Sequence, residues 1–90
     1  MTSNYEKEVL MSLPYKILEE YVFYPDGVGT VKGRITETVG ITPVQRHWET
    51  SFMDGSKAAN HGGQIEAVRK ELFNYMESFN SQSAKPNPAY

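Results

Sequence analysis

Apolar positions along this chain follow two rhythms. Toward the end, Ile65, Val68, Leu72, Met76 and Phe79 recur at three- and four-residue spacings, which lays one apolar stripe along a helix. The pattern predicts a helix from about residue 64 to 80, with Glu66, Arg69, Lys70 and Glu77 on the solvated face. Two starts fit. Ser56 can cap a helix beginning at Lys57, in which Gly62 and Gly63 would each cost about 1 kcal/mol, or a loop can run to Asn60 as the N-cap.

Upstream the rhythm is two. From Thr30 to Val39 the strand pattern sets Val31, Gly33, Ile35 and Val39 against Lys32, Arg34, Thr36 and Thr38, with Glu37 as the exception on the apolar side. From Val44 to Phe52 it sets Val44, Trp48 and Phe52 against Gln45, His47, Glu49 and Ser51, interrupted by Arg46 and Thr50. Gly40-Ile41-Thr42-Pro43 between them is a hairpin-length connection, with Pro43 expected at the edge of the ladder because it lacks a donor. Tyr15 to Tyr24 fits a helix capped by Ser12 or a strand with two apolar faces, and the β-rich run Tyr21-Val22-Phe23-Tyr24 favours the strand. As a strand it sets Leu18, Val22 and Tyr24 against Ile17, Tyr21 and Phe23, and Pro25-Asp26-Gly27 ends it in a turn.

Asn4 to Met11 suits a short helix, with Glu6 and Glu8 placed for its N-terminal dipole. Residues 81–90, around Pro86 and Pro88, have no periodicity and are expected to form a flexible polar tail. The expected architecture is α+β: one domain over residues 1–80, with a three-stranded antiparallel meander and a C-terminal amphipathic helix packed on one face. Its expected core is Val31, Ile35, Val44, Trp48, Val68, Leu72 and Phe79.

Composition narrows what such a domain can do. Ninety residues bury only about 60 to 65 % of the surface exposed when unfolded, enough for one core and one binding surface. The absence of cysteine excludes disulfides, thiolate nucleophiles and cysteine metal sites, and suits an intracellular chain. No apolar run approaches the roughly 18 residues that span a bilayer. Met1 to Glu8 carries neither the basic flank nor the apolar stretch of a signal peptide, so a cytoplasmic location away from membranes is expected. A net charge of −2 argues against holding polyanions by bulk charge. Residues 30–70, with six basic against four acidic side chains, are locally positive.

Candidate chemistry is sparse. His47, His61 and scattered carboxylates show no metal-ligand spacing, and no serine sits in a Gly-x-Ser-x-Gly elbow. No catalytic residue, metal or cofactor is expected. Glu19-Glu20 would point to opposite faces of a strand and cannot share a substrate. His61-Gly62-Gly63 before the helix could cradle an anion, with Lys57 or His61 supplying charge. The competing reading makes Ala59, Gly63 and Ala67 a smooth helical face for close packing.

The order short helix, three strands, helix, with Leu13-Pro14-Tyr15 before the first strand and Asp54-Gly55-Ser56-Lys57-Ala58-Ala59 before the last helix, resembles the double-stranded RNA-binding domain over residues 5–79. The resemblance implies phosphate contacts from lysines at the start of the final helix. Here Lys57 stands alone, followed by Ala58, Ala59 and Asn60. Nucleic-acid binding through Lys32, Arg34, Arg46, His47, Lys57 and Lys70, with Trp48 nearby, is the alternative function.

The leading expectation comes from surplus apolar surface. If one helix covers one sheet face, Ile17, Tyr21 and Phe23 lie on the other side and mark a protein interface; alternatively Val9, Leu10 and Leu13 of the N-terminal helix cover them. The chain therefore reads as a small non-enzymatic interaction or regulatory protein, binding a protein partner or a second copy of itself. Its size also suits accessory or inhibitor proteins of mobile elements.

Overall fold

The computed structural model describes residues 14–56, 60, 61 and 63–90. The expected N-terminal helix, Lys57 and Gly62 lie outside the described residues. Three antiparallel strands follow one another: β1 (Tyr15–Phe23), β2 (Val31–Thr38) and β3 (Arg46–Thr50). The short β4 (Phe52–Met53) leaves that sheet, and β5 (Asn60–His61) returns to pair with Arg46 and His47 of β3. Helix α1 (Ile65–Glu77) comes next, then a 3-10 turn (Ser81–Ser83) and β6 (Lys85–Pro86), which pairs with β4. The main sheet has the order β1-β2-β3-β5. The fold is α+β, a meander with one helix packed upon it.

Burial accounts for the helix. Val68, Leu72 and Met76 of its stripe are buried with Val31, Ile35 and Trp48 of the sheet, and Ile65, Tyr75 and Phe79 pack around them. Cross-strand partners share a face, so Ile35 opposite Trp48 and Gly33 opposite Thr50 define the covered side. Gly33 permits the closest approach of sheet to helix: a Cβ there would lie 2.9 Å from the Phe23 ring and 3.2 Å from Leu72. Gly27, at φ 90°, completes the turn after Pro25.

Four expectations are corrected. The helix runs from Ile65, next to the 64 its periodicity gives, to Glu77, three residues short of 80; its N-cap is Gln64, and the capped starts at 57 and after Asn60 do not hold because the backbone of Asn60 and His61 is taken up by β5. Gly63 therefore lies outside α1 and is not part of a helical face; Ala59 lies outside the described residues. Val39 and Val44 are 46 % and 41 % exposed. Pairing stops at Thr38 and Arg46, and both valines fall in the connection, which turns through Gly40 and a cis Thr42–Pro43 bond. Phe52 is in β4 rather than in a continuous strand with Trp48.

The fourth correction is in β1. Ile17 pairs with Thr36 while Glu19 pairs with Ile35, leaving Leu18 as an extra bulged residue. One extra residue reverses the facing of everything after it. Tyr15 and Ile17 accordingly lie on the sheet face away from α1, while Glu19, Tyr21 and Phe23 lie beneath it. Ile17, Tyr21 and Phe23 do not share a face.

Residues 81–90 turn back onto the domain. The Asn87 backbone N–H donates to Ser51 O and its side-chain amide to Thr50 O, each across the end of β3.

Candidate functional site

The most exposed apolar surface gathers along β1, at one edge of the main sheet. Helix α1 lies over β3 and β2 and reaches β1 only through long side chains. Arg69 Nε donates to Glu19 Oε1 at 2.8 Å and its Nη2 to Oε2, while the Tyr21 hydroxyl also donates to Oε1. Those Arg69 hydrogen bonds hold the Glu19 carboxyl at about 2, well below its ordinary 4.5. Four residues further along the helix, Phe73 meets Tyr21 and Phe23 edge-on, with centroids 4.9 and 5.4 Å away.

The helix thus overhangs the sheet edge. Phe73 remains 42 % exposed and Tyr24, just past the strand, 77 %. Between them a groove of about 420 Å³ is lined by Phe23, Tyr24, Pro25, Phe73, Met76 and Glu77. On the opposite face Tyr15, Ile17 and Val22 are each about half exposed. Both sides of the β1 edge are therefore apolar, and among the described residues no strand pairs with its outer side.

The basic residues are not gathered into one surface. Arg34 bonds to Glu49 Oε1 at 3.1 to 3.2 Å and lies between the rings of Tyr15 and Tyr90, at 5.5 and 4.4 Å. Arg46 donates to Glu37 Oε1 at 3.1 Å and to Gly63 O at 2.8 Å. Lys16 joins the same Glu37 carboxylate at 3.1 Å. Lys32 is exposed on the sheet face away from α1, and Lys70 is exposed on α1, on the far side of the molecule. His47 pairs across from Thr36 on the same face as Lys32. Trp48 is core, 6 % exposed, with its indole N–H 3.4 Å from Glu71 Oε1.

The anion candidate is also rearranged. His61 belongs to β5, Gly63 offers its carbonyl to Arg46, and residue 64 separates both from the helix.

Tyr15, Val22, Tyr24 and Phe73 complete the β1 edge and were not singled out in the sequence. Their signal was the two-sided apolar character of Tyr15 to Tyr24, which a single alternating face cannot absorb. Among the described residues no group of three or more His, Asp or Glu is placed to hold a metal ion, and no helix is long and apolar enough to cross a membrane. Comparison with known families, curated proteins and solved structures found no match for this chain.

Proposed function

We propose that this chain is a non-catalytic binding protein that holds another polypeptide, a partner or a second copy of itself, along the outer edge of β1. One observation carries the reading. Of the seven large apolar side chains exposed among the described residues, five (Tyr15, Ile17, Val22, Tyr24 and Phe73) lie on β1, just past it or against it. An unpaired strand edge supplies a row of backbone donors and acceptors, and flanking apolar side chains supply the surface that an added strand buries. Nine residues is long enough for such an addition.

The reading is tested by placing a photoreactive phenylalanine analogue at position 17, 22 or 82. Gln82 is exposed but remote from β1, in the 3-10 turn. Adducts from 17 and 22, with a second copy in pure protein or with a partner in host extract, and none from 82, are expected. Equal labelling from 82, or no adduct from 17 and 22, removes the reading. In the same extract, adducts with nucleic acid at Lys32 or Lys70 in place of protein at β1 would favour the alternative.

A further inference from the structure

The groove at the end of β1 combines aromatic walls with a single charge. Three of its six lining residues are aromatic, Met76 is nearly buried at 9 % exposure, and Glu77 is its one ionisable carboxylate. Phe23 and Phe73 are already engaged with each other edge-on, whereas Tyr24 spends little of its surface on the protein. Glu77 is exposed, and among the described residues it makes no ion pair. No lysine or arginine lines the groove.

We propose that this groove receives a lysine or arginine side chain carried by the extended segment that adds to β1. The proposal rests on the β1 reading and names the chemistry of the partner strand. A long basic side chain can lay its methylenes against Phe73, Met76 and Tyr24 while its charged end meets a ring face and the Glu77 carboxylate. A purely aliphatic side chain fills the same space but takes water from Glu77 without replacing it. An acidic side chain meets like charge. At about 420 Å³ the groove is near the small end of ligand sites, which run from about 300 to 1,000 Å³. It suits one side chain better than a large free ligand.

The test uses the full chain labelled with nitrogen-15 and three blocked nonapeptides of alternating serine or threonine and valine. They differ only at the central residue: lysine, norleucine or glutamate. Shifts at residues 15–24 report strand addition, and shifts at Phe73 and Glu77 report the groove. The lysine peptide is expected to bind about 5- to 10-fold more tightly than the norleucine peptide, with glutamate weaker still. Glu77→Gln and Tyr24→Ala change exposed side chains, so both variants should keep the wild-type spectrum elsewhere. Each is expected to reduce the lysine preference to about 2-fold or less.

Equal binding of lysine and norleucine peptides, with shifts at residues 15–24, would overturn the inference and leave the β1 reading standing. The same holds for a lysine preference that survives in both variants. No shift with any of the three peptides would also overturn it, and the crosslinks from positions 17 and 22 then decide separately whether β1 holds anything.

Discussion

The two sides of the main sheet are finished differently. At the β3 side, the strand is only five residues long and its backbone is met from several directions. β5 pairs at one end, Asn87 caps the Thr50 and Ser51 carbonyls at the other, and the Thr50 hydroxyl, 1 % exposed, donates to Phe52 O at 2.6 Å. The Asp54 carboxylate just beyond it accepts from the Tyr75 hydroxyl and from the backbone N–H groups of Ser56 and Asn80. At the β1 side a longer strand carries exposed apolar side chains on its open face, with Phe73 and Tyr24 exposed beside it on the other, and one internal ion pair to the helix. Polar groups next to a core are satisfied internally because leaving them unpaired costs about 1 to 3 kcal/mol each. Apolar groups left outside carry no such penalty and are available to another molecule. The β3 side is built for stability, and the β1 side is the surface we propose for contact.

The largest expected effect separates these roles. Leu72 is fully buried between α1 and the sheet, so Leu72→Ala should cost about 2 to 5 kcal/mol through lost transfer energy and a residual cavity. Val22 is 50 % exposed, and Val22→Ala should cost no more than about 0.5 kcal/mol. Urea unfolding of the two variants measures both. Comparable losses would mean that β1 is part of the core and that the distinction between the two sides is wrong.

How much of this was legible in the sequence depends on what each side uses. The helix stripe and the Val31, Ile35 and Trp48 alternation were readable because period and burial agree over many residues. The cap of α1 was not, because pairing of Asn60 and His61 with β3 is a tertiary contact with no local pattern. Val44 was misplaced because alternation continues past the point where the strands stop pairing. The β1 edge was half readable: its apolar surplus was visible, but a bulge at Leu18 leaves no mark in composition and reverses Tyr21 and Phe23 relative to Ile17. The docking of residues 85–90 depends on backbone bonds from Asn87 and a ring over Arg34, to which periodicity is blind.

Acid should weaken the β3 side through Asp54. Burial alone would raise its carboxyl, but hydrogen bonds from the Ser56 hydroxyl and N–H, the Asn80 N–H and Tyr75 outweigh that and hold it at about 2, against an ordinary 3.8. The folded value lies below the unfolded one, so the stabilisation is complete above about pH 4 to 5 and is lost as pH falls toward 2. At pH 7, Asp54→Asn should cost about 1 to 2 kcal/mol, since an amide replaces a charged acceptor. Glu19, also held at about 2 but by Arg69 at the more solvated edge, should matter less, with Glu19→Gln costing about 0.5 to 1 kcal/mol. Urea midpoints at pH 7 and pH 2.5 check the ordering, because the gap between each variant and the wild type should narrow in acid as the folded carboxyls approach their values of about 2. A gap as large at pH 2.5 as at pH 7 would mean that packing, not charge, is responsible.

The smallest expected effect lies where the C-terminal segment meets the open sheet face. The Tyr90 ring lies 4.4 Å from the Arg34 guanidinium, which also faces Tyr15 at 5.5 Å and bonds to Glu49. A guanidinium over a ring at a partly exposed site contributes about 0.5 to 1 kcal/mol. Tyr90→Ala leaves the Glu49 pair, the Tyr15 ring and both Asn87 bonds in place, so the loss should stay below about 1 kcal/mol. Asn87→Ala removes the side-chain donor to a backbone carbonyl at the end of β3 and should cost about as much or slightly more. Urea midpoints of both variants, with the Arg34 Nε proton resonance as a local probe, would show whether the segment is an accessory clasp. A loss on the scale of Leu72→Ala would make residues 85–90 part of the core and extend the stability side of the molecule onto the open face.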